Sequence, residues 1–597
     1  MNNLQEIRSS KYLKKKSSYD KFPMVKVRDT GDDCIQGWIN IGRKLTGLIK
    51  EKNKVSTIMV VDTYPGVYHR EVLQSLSEVL NPTSVFDTLE IFNYESQLDE
   101  KINPILGDHP IFGQMNSLTF DDFFNHEKLI QQQQVYMNPG PGLHLLYGPG
   151  AAKVVSSPDI MLYADMARWE IQMRMRRHEV DNLGYTNHQQ PASLLYKQAY
   201  FIDWRVADRH KIKILPQTDF LLDTNDRQQP KMIPGSLLQE GLRNAVNQPF
   251  RVVPFFDPGV WGGQWMKEVC DLDRDAINYA WCFDCVPEEN SLLLGFGDSH
   301  IEIPALDLVL FYPEALLGEK VFKRFGAEFP IRFDFLDTMD GGNLSLQVHP
   351  MKEYIKEIFG MDYTQDESYY MLDVEPDAVV YLGLKENIDK PQMIDDLKKA
   401  ERGGFSFDAD QYVNKWPVKK HDHVLIPAGT IHCSGKNSMV LEISATPYIF
   451  TFKLWDWGRV DLNGQPRTIS LEHGLKNIQW ERDTEWTKNE LINNVKVIAQ
   501  GDGWREEHTG LHSLEFIETR RHWFNTKVIH DTKGNLNVLN LVEGEEVVVE
   551  SPEDAFEPFK VHYAETFIIP AAIGIYTITP SGPSSGKECA TMKAFVR

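Results

Sequence analysis

The residues of this chain whose types and spacing could do chemistry are Gln347-Val348-His349-Pro350, read with Glu367 and His432 further along. On an extended strand, side chains two apart share a face, so Gln347 and His349 project together while Val348 turns into the opposite layer. Imidazole nitrogen, carboxylate oxygen and amide oxygen are all competent ligands for a divalent first-row metal. His432 ends Ile426-Pro427-Ala428-Gly429-Thr430-Ile431-His432, an apolar strand running into a Pro/Gly turn, which predicts an imidazole at a sheet rim. Two strand pieces and one turn converging on one metal would call for a small β-barrel. Taken singly, each residue has a plainer reading. His349 could be a structural histidine, Glu367 a loop carboxylate within Thr364-Gln-Asp-Glu-Ser-Tyr369, and His432 a rim residue.

Positioning such groups requires sheets. Val55-Ser-Thr-Ile-Met-Val-Val-Asp62 is a β-branched run typical of a buried parallel strand. Tyr64-Pro-Gly-Val67 reads as a turn, and Glu71 onward as an amphipathic helix. Leu143 to Gly148 and Asp159 to Asp165 read as two more strands. Strands alternating with helical patterns predict an α/β domain with a parallel sheet. The polar, turn-rich Asp226-Arg-Gln-Gln-Pro230 predicts a boundary near residues 225 to 245. Beyond about 250, β-type alternation and Gly/Pro turns dominate, with helices expected at Lys352 to Phe359 and Pro391 to Arg402. Asn535 to Val542, Glu546 to Glu550 and Glu565 to Pro570 read as strands of a last β-domain. Residues 1 to about 30 are polar and Lys-rich and read as a partly ordered lead-in.

A chain of 597 residues is too long for one core. Its formal net charge of −22 argues against non-specific nucleic-acid binding, which needs a basic footprint, but leaves room for a locally basic pocket. Six scattered cysteines do not form a disulfide framework, and Cys282-Phe-Asp-Cys285, without a second pair at zinc-ribbon spacing, reads as small buried thiols on a strand. No secretory signal and no run of 18 apolar residues is present, so no membrane span is expected and a cytoplasmic location follows by default.

Asn343-Leu-Ser-Leu-Gln-Val-His-Pro350 resembles the signature of type I mannose-6-phosphate isomerases, zinc enzymes of the cupin fold. Three further segments resemble the same family in the same order. Pro254-Phe-Phe-Asp-Pro-Gly-Val-Trp-Gly-Gly263 is similar to its opening Trp-Gly-Gly. Ile426 to Ser444 is similar to its Pro-Ala-Gly-Thr-x-His strand with the following Leu-Glu-Ile. Leu454-Trp-Asp-Trp-Gly-Arg459 and Gly464-Gln-Pro-Arg467 are similar to its Tyr-Asp-Tyr-x-Arg and Gly-x-Pro-Arg. The resemblance covers roughly residues 245–597. It implies β-rich cupin (jelly-roll) domains with helical insertions, and with the N-terminal α/β parallel-sheet domain that the strand–helix alternation predicts over 1–240 the chain is expected to be multidomain. The first cupin, over 245–495, would carry the metal site, and the second, over 496–597, would be structural or regulatory, with no metal-ligand set around His562.

The resemblance implies one Zn2+ per chain held by Gln347, His349, Glu367 and His432. One carboxylate and three neutral ligands leave the ion a net positive charge, useful for holding a sugar oxygen while an enediolate forms. It implies a sugar-phosphate substrate, interconverted between mannose 6-phosphate and fructose 6-phosphate by moving a proton between C1 and C2. It puts a substrate-contacting Ser at Ser345, two before Gln347, where a plain strand serine is the alternative. It puts the catalytic Arg at Arg459, which could instead form an ordinary ion pair with Asp456. Glu442, in Val440-Leu-Glu-Ile-Ser444, is a carboxylate in an apolar strand. It reads either as a proton-transfer group with a raised pKa or as a buried partner of Arg459.

Two departures bear on the substrate. Gln365 stands where the family has a Lys before the glutamate ligand, and Asp334 stands where Phe-Pro-Leu-Leu-x-Lys ends in Lys. Arg332, Arg459, Arg467 or Lys453 would then have to supply the charge for a phosphate. The second reading is a cupin that binds a sugar without transforming it. In the front half the phosphate-cradling G-x-x-x-x-G-K-[ST] is absent after Asp62. Arg168, Arg174, Arg176 and Arg177 faintly resemble the lid arginines of nucleoside-kinase-like domains, against the plainer reading of a charged surface helix. A degenerate kinase-like domain that docks or regulates the isomerase half is the corresponding expectation.

Overall fold

The computed structural model of the chain describes residues 11–13, 15–445, 448, 450–460, 464 and 467–597. The β-branched run near residue 55 forms the strand Ser56–Thr63, whose last five residues are all buried. It lies inside a seven-stranded sheet ordered Ile35–Gln36, Lys231–Pro234, Phe220–Asp223, Ile160–Asp165, Ser56–Thr63, Gly142–Gly148, Ser84–Asp87. The five strands from Phe220–Asp223 to Ser84–Asp87 run parallel, and Lys231–Pro234 runs antiparallel to its neighbours. Helix Trp38–Lys52 buries Ile41 and Leu45, and His69–Leu80 buries Val72 and Leu76. Those spacings of four put the apolar residues on one stripe of each helix.

Two antiparallel sheets follow. One is ordered His423–Ile426, Asp366–Val374, Ser438–Ala445, Arg332–Asp337, Trp281–Cys285, Phe255–Asp257; the other Val413–Pro417, Val379–Leu384, His432–Ser434, Leu346–Val348, Phe452–Trp455. Gly263 shows how closely the first sheet is approached: a Cβ there would stand 2.1 Å from Asp337 Oδ1, so no larger residue fits. The expected helices appear as Lys352–Phe359 and Lys390–Glu401. A further six-stranded and a four-stranded sheet, all antiparallel, close the chain around Phe524, Leu539, Leu541, Val549, Phe567 and Ile578. All six cysteines are free and buried, with Cys282 and Cys285 on Trp281–Cys285.

The reading of residues 1 to about 30 as a lead-in is corrected for the described part. Met24–Arg28 is a strand paired in parallel with Ser291–Phe296, far along the chain. Tyr19 OH donates to Asp284 Oδ1 at 2.5 Å, and Lys11 Nζ lies 3.0 Å from both Asp340 and Glu375. The sequence sign for this was the alternation in Met24-Val-Lys-Val-Arg28, hidden by the lysines before it.

The parallel-sheet region is tied to the chain that follows it by ion pairs, most of them buried. Arg168 and Arg205 both pair with Glu288, and Lys211 Nζ bridges Asp165 and Asp307 at 2.5 Å each. Arg176 binds Asp257 in fork geometry at 2.6 and 2.8 Å. Arg174 donates to Gly66 O at 2.9 Å and Thr224 O at 2.8 Å, and Arg177 to Glu170 and Glu179, each at 2.8 Å. The four arginines of the kinase-like comparison are therefore engaged by protein acceptors, two of them across this contact.

Candidate metal centre

The two sheets of the sandwich face each other, and each contributes residues to the candidate cluster. Gln347 and His432 are direct cross-strand partners in one sheet, so their side chains share a face, and Lys453 lies on the other side of Gln347 in the same register. His349 follows the last residue of its strand, and Glu367 lies on Asp366–Val374 in the opposite sheet, not in a loop. His432 opens the strand His432–Ser434 and does not end the preceding one. The turn before it holds because Gly429 takes φ +87°, a left-handed value open to glycine, and its N–H donates to His349 O at 3.0 Å. Arg482 also ties the turn, donating to Pro427 O at 2.9 Å and Ala428 O at 2.7 Å.

His349, Glu367 and His432 are fully buried, and one ligand atom from each lies within 4.8 Å of the others, a cluster that can hold a metal ion. His349 Nε2 stands 2.9 Å from Glu367 Oε2, and His432 Nε2 stands 3.0 Å from Glu367 Oε1. A carbonyl oxygen can only accept. His349 Nδ1, 2.9 Å from Phe450 O, and His432 Nδ1, 2.8 Å from Thr430 O, must therefore be the protonated nitrogens. In the neutral rings both Nε2 atoms then present lone pairs to the same carboxylate. His349 Nε2 and Glu367 Oε1 have no hydrogen-bond partner among the described residues, although both are buried. Such orphaned, mutually facing donors fit a cation better than they fit one another. Burial works against charge on His349 and on Glu367. Their attraction outweighs it, raising the imidazole and holding the carboxyl well below the usual range.

Gln347 Nε2 lies 3.3 Å from His432 Nε2, and Ser345 Oγ donates to Gln347 Oε1 at 3.2 Å. Gln365, where a lysine was expected by resemblance, donates to Glu367 Oε2 at 2.9 Å and accepts from Phe450 N at 3.0 Å. It orients the Glu367 carboxylate, a role the sequence did not indicate.

The inner face of the six-stranded sheet continues the site. Register pairs Arg332 with Ser444 and Asp334 with Glu442, while Ser444 and Glu442 face Glu367 and Tyr369 on the next strand. All six share one face. Arg332 Nε, Asp334 Oδ1, Ser444 Oγ and Tyr369 OH are buried without partners among the described residues, a run of unsatisfied polar groups beside the cluster. Burial, with Glu367 and Asp334 close by, pushes the Glu442 carboxyl far up, and burial raises Asp334 to about 7 against the pull of Arg332. Arg332 lies among Asp334, Glu289 and Glu442. It is not grouped with the other cations.

Those cations gather at the other sheet. Arg459 donates to Asp456 and, at 2.7 Å, to Asn343 O, and Arg467 Nε lies 2.5 Å from Asp456 Oδ2. Arg459 thus pairs with Asp456, and Glu442 faces Arg332 and Asp334; the Arg459–Glu442 pair is not formed. Burial and the neighbouring Arg467 lower Lys453 to about 8. Trp457 and Gly458 both take left-handed backbone, at φ +57° and +67°. For a tryptophan that costs about 1–3 kcal/mol. Trp457 Nε1 donates to Leu344 O at 2.6 Å and helps to hold the turn that brings Arg459 back over Asp456. Gln465 and Pro466 lie outside the described residues.

A family described as a domain of unknown function (DUF8485) matches residues 37–247. Mannose-6-phosphate isomerase of Streptococcus mutans is 25% identical over 218 residues, 36% of this chain and 63% of that protein. Mannose-6-phosphate isomerase ManA of Bacillus subtilis is 29% identical over 240 residues, 39% of this chain and 69% of that protein. The curated relatives of this chain are mannose-6-phosphate isomerases. The match spans less than two thirds of the Streptococcus protein, and it is partial on both sides. A crystal structure of mannose 6-phosphate isomerase from Bacillus subtilis aligns with 58% of this chain and 99% of its own, at 17% identity and a TM-score of 0.47. Among the described residues no helix is long and apolar enough to cross a membrane.

Proposed function

We propose that this chain is a zinc-dependent aldose–ketose isomerase of cupin type, interconverting mannose 6-phosphate and fructose 6-phosphate through an enediol. The observation that carries the reading is the pair of buried imidazoles. Both give Nδ1–H to main-chain carbonyls and turn Nε2 onto one carboxylate, beside a run of buried, unpartnered polar groups. Relatives named mannose-6-phosphate isomerase support the reaction. In this reading Gln347 joins His349, Glu367 and His432 as the fourth ligand. A Zn2+ ion held by them would supply positive charge next to the sugar oxygens that become negative.

The chain's own groups do the rest. Glu442, whose carboxyl is pushed up by burial and its acidic neighbours, exchanges a proton with the sugar. Arg459, fixed by Asp456 and Asn343 O, faces the developing negative charge. Ser345, already bonded to Gln347, turns toward a sugar hydroxyl. The phosphate goes to Lys453 and Arg467, because Arg332 is surrounded by carboxylates.

Lys453 carries a pH dependence with a definite sign. Its ammonium loses its proton as pH rises through about 8, so attraction for a phosphate falls above that pH. KM for the sugar phosphate should rise above pH 8 in the wild-type chain. Lys453→Arg, which keeps its charge, should flatten that rise; an unchanged KM profile in the variant would remove Lys453 as the phosphate contact.

One observation favours a second reading, a cupin that binds an unphosphorylated sugar without turning it over. Asp334 and Glu442 sit opposite each other on the inner face, where carboxyl groups suit sugar hydroxyls better than a phosphate. A coupled assay with mannose 6-phosphate and fructose 6-phosphate, on protein stripped by chelator and then reloaded with zinc, separates the two. Turnover restored by zinc supports the isomerase. Zinc-loaded protein that binds sugars without turnover of either phosphate would establish the second reading instead.

A further inference from the structure

We infer that the N-terminal α/β region completes the metal centre, with Phe112 acting as a positioning residue for His349 and Glu367; this rests on the metal reading above. The link is the backbone of Phe450. Its carbonyl accepts from His349 Nδ1 at 2.9 Å, and its N–H donates to Gln365 Oε1 at 3.0 Å. Gln365 passes the constraint on, donating to Glu367 Oε2 at 2.9 Å. One residue therefore orients two of the three clustered ligands.

Phe450 is held in turn from the far side of the chain. The Phe112 ring stacks on the Phe450 ring at 5.4 Å with an interplanar angle of 15°, and Phe112 also meets Phe359 at 5.7 Å and Phe452 at 5.3 Å. Phe112 is 2% exposed. The same connection is latched on either side of the ring. Tyr448 OH donates to Ile111 O at 3.0 Å, and Met115 N donates to Phe359 O at 3.0 Å. Tyr448 also packs on Tyr200, with ring centroids 4.3 Å apart. Thus the segment from Ile111 to Met115 presses on the one residue whose backbone fixes the tautomer of His349 and, through Gln365, the rotamer of Glu367. Partners that orient metal ligands typically govern affinity by roughly 10–100-fold when lost. This gives the α/β region a role: it sets how tightly the sandwich holds its ion.

The experiment uses the full-length chain and Co2+ as probe, following the visible absorption of the bound ion, with zinc affinity measured by chelator competition. Phe112→Ala should weaken both affinities by roughly tenfold or more. Phe112→Leu, which keeps apolar bulk, should lose less. Tyr448→Phe removes the hydroxyl that latches onto Ile111 and should weaken binding by a few fold, a readout that survives if Phe112→Ala fails to fold. Phe86→Ala opens a cavity in the α/β core away from this contact and should leave affinity unchanged. Unaltered affinity in Phe112→Ala or Tyr448→Phe would overturn the inference while leaving the metal reading intact. Equal weakening in Phe86→Ala would overturn it too, by reducing the effect to stability. A wild-type chain that takes up no cobalt would overturn both.

Discussion

His432→Ala should leave a folded chain that no longer retains metal and no longer turns over sugar phosphate. His432 supplies one of two unprotonated nitrogens, and its removal leaves Glu367 facing a single imidazole in a fully buried site. Loss of a mere ligand-orienting partner costs 10–100-fold in affinity, so loss of a ligand should exceed about 100-fold. Metal content after dialysis, read by mass spectrometry, and turnover at limiting zinc should fall together. The fold should survive, since the neighbouring backbone pairing through Leu382 and Gln347 does not involve the imidazole. A variant that keeps its full complement of zinc would remove His432 from the ligand set.

Arg459→Ala should lower kcat by about 10²–10³-fold, the usual effect of removing one preorganised group aimed at developing charge. KM should change little, because the interaction strengthens only as charge develops. Asp456 and Asn343 O hold the guanidinium in place before any substrate arrives, so no ordering remains to be done during the reaction. Arg459→Lys should recover little, since a single ammonium cannot keep both anchors and also face the substrate. A raised KM with unchanged kcat would instead make Arg459 a simple binding group.

Much of the site was legible because the signals were local. Gln347 and His349 lie two apart, and a strand period of two is enough to put them on one face. The turn around Gly429 follows from Pro427 and Gly429 themselves. Glu442 stood out as a carboxylate among apolar residues, and it lies on the inner face beside Glu367. Other features were not legible because they depend on residues far apart in sequence. The partner of Arg459 had two readings until register put Glu442 opposite Asp334. Arg332 carries a charge suited to phosphate, but only its neighbours show that three carboxylates surround it. Gln365 read simply as a missing lysine; its bond to Glu367 is local, but the bond from Phe450 N that fixes it appears only when two segments far apart in sequence meet.

The sequence by itself determined most of the strands and helices, the residue types of the candidate cluster and the absence of a phosphate cradle after Asp62, because each is a property of neighbouring residues along the chain. Only the tertiary structure decided how those elements bear on one another. It put Met24–Arg28 into a sheet with Ser291–Phe296, turned the arginines from Arg168 to Arg177 toward protein acceptors, and laid Phe112 against Phe450. The physical reason is that an apolar ring or a buried charge specifies that it must find a partner, not which one. Which partner it finds is set by how the sheets pack.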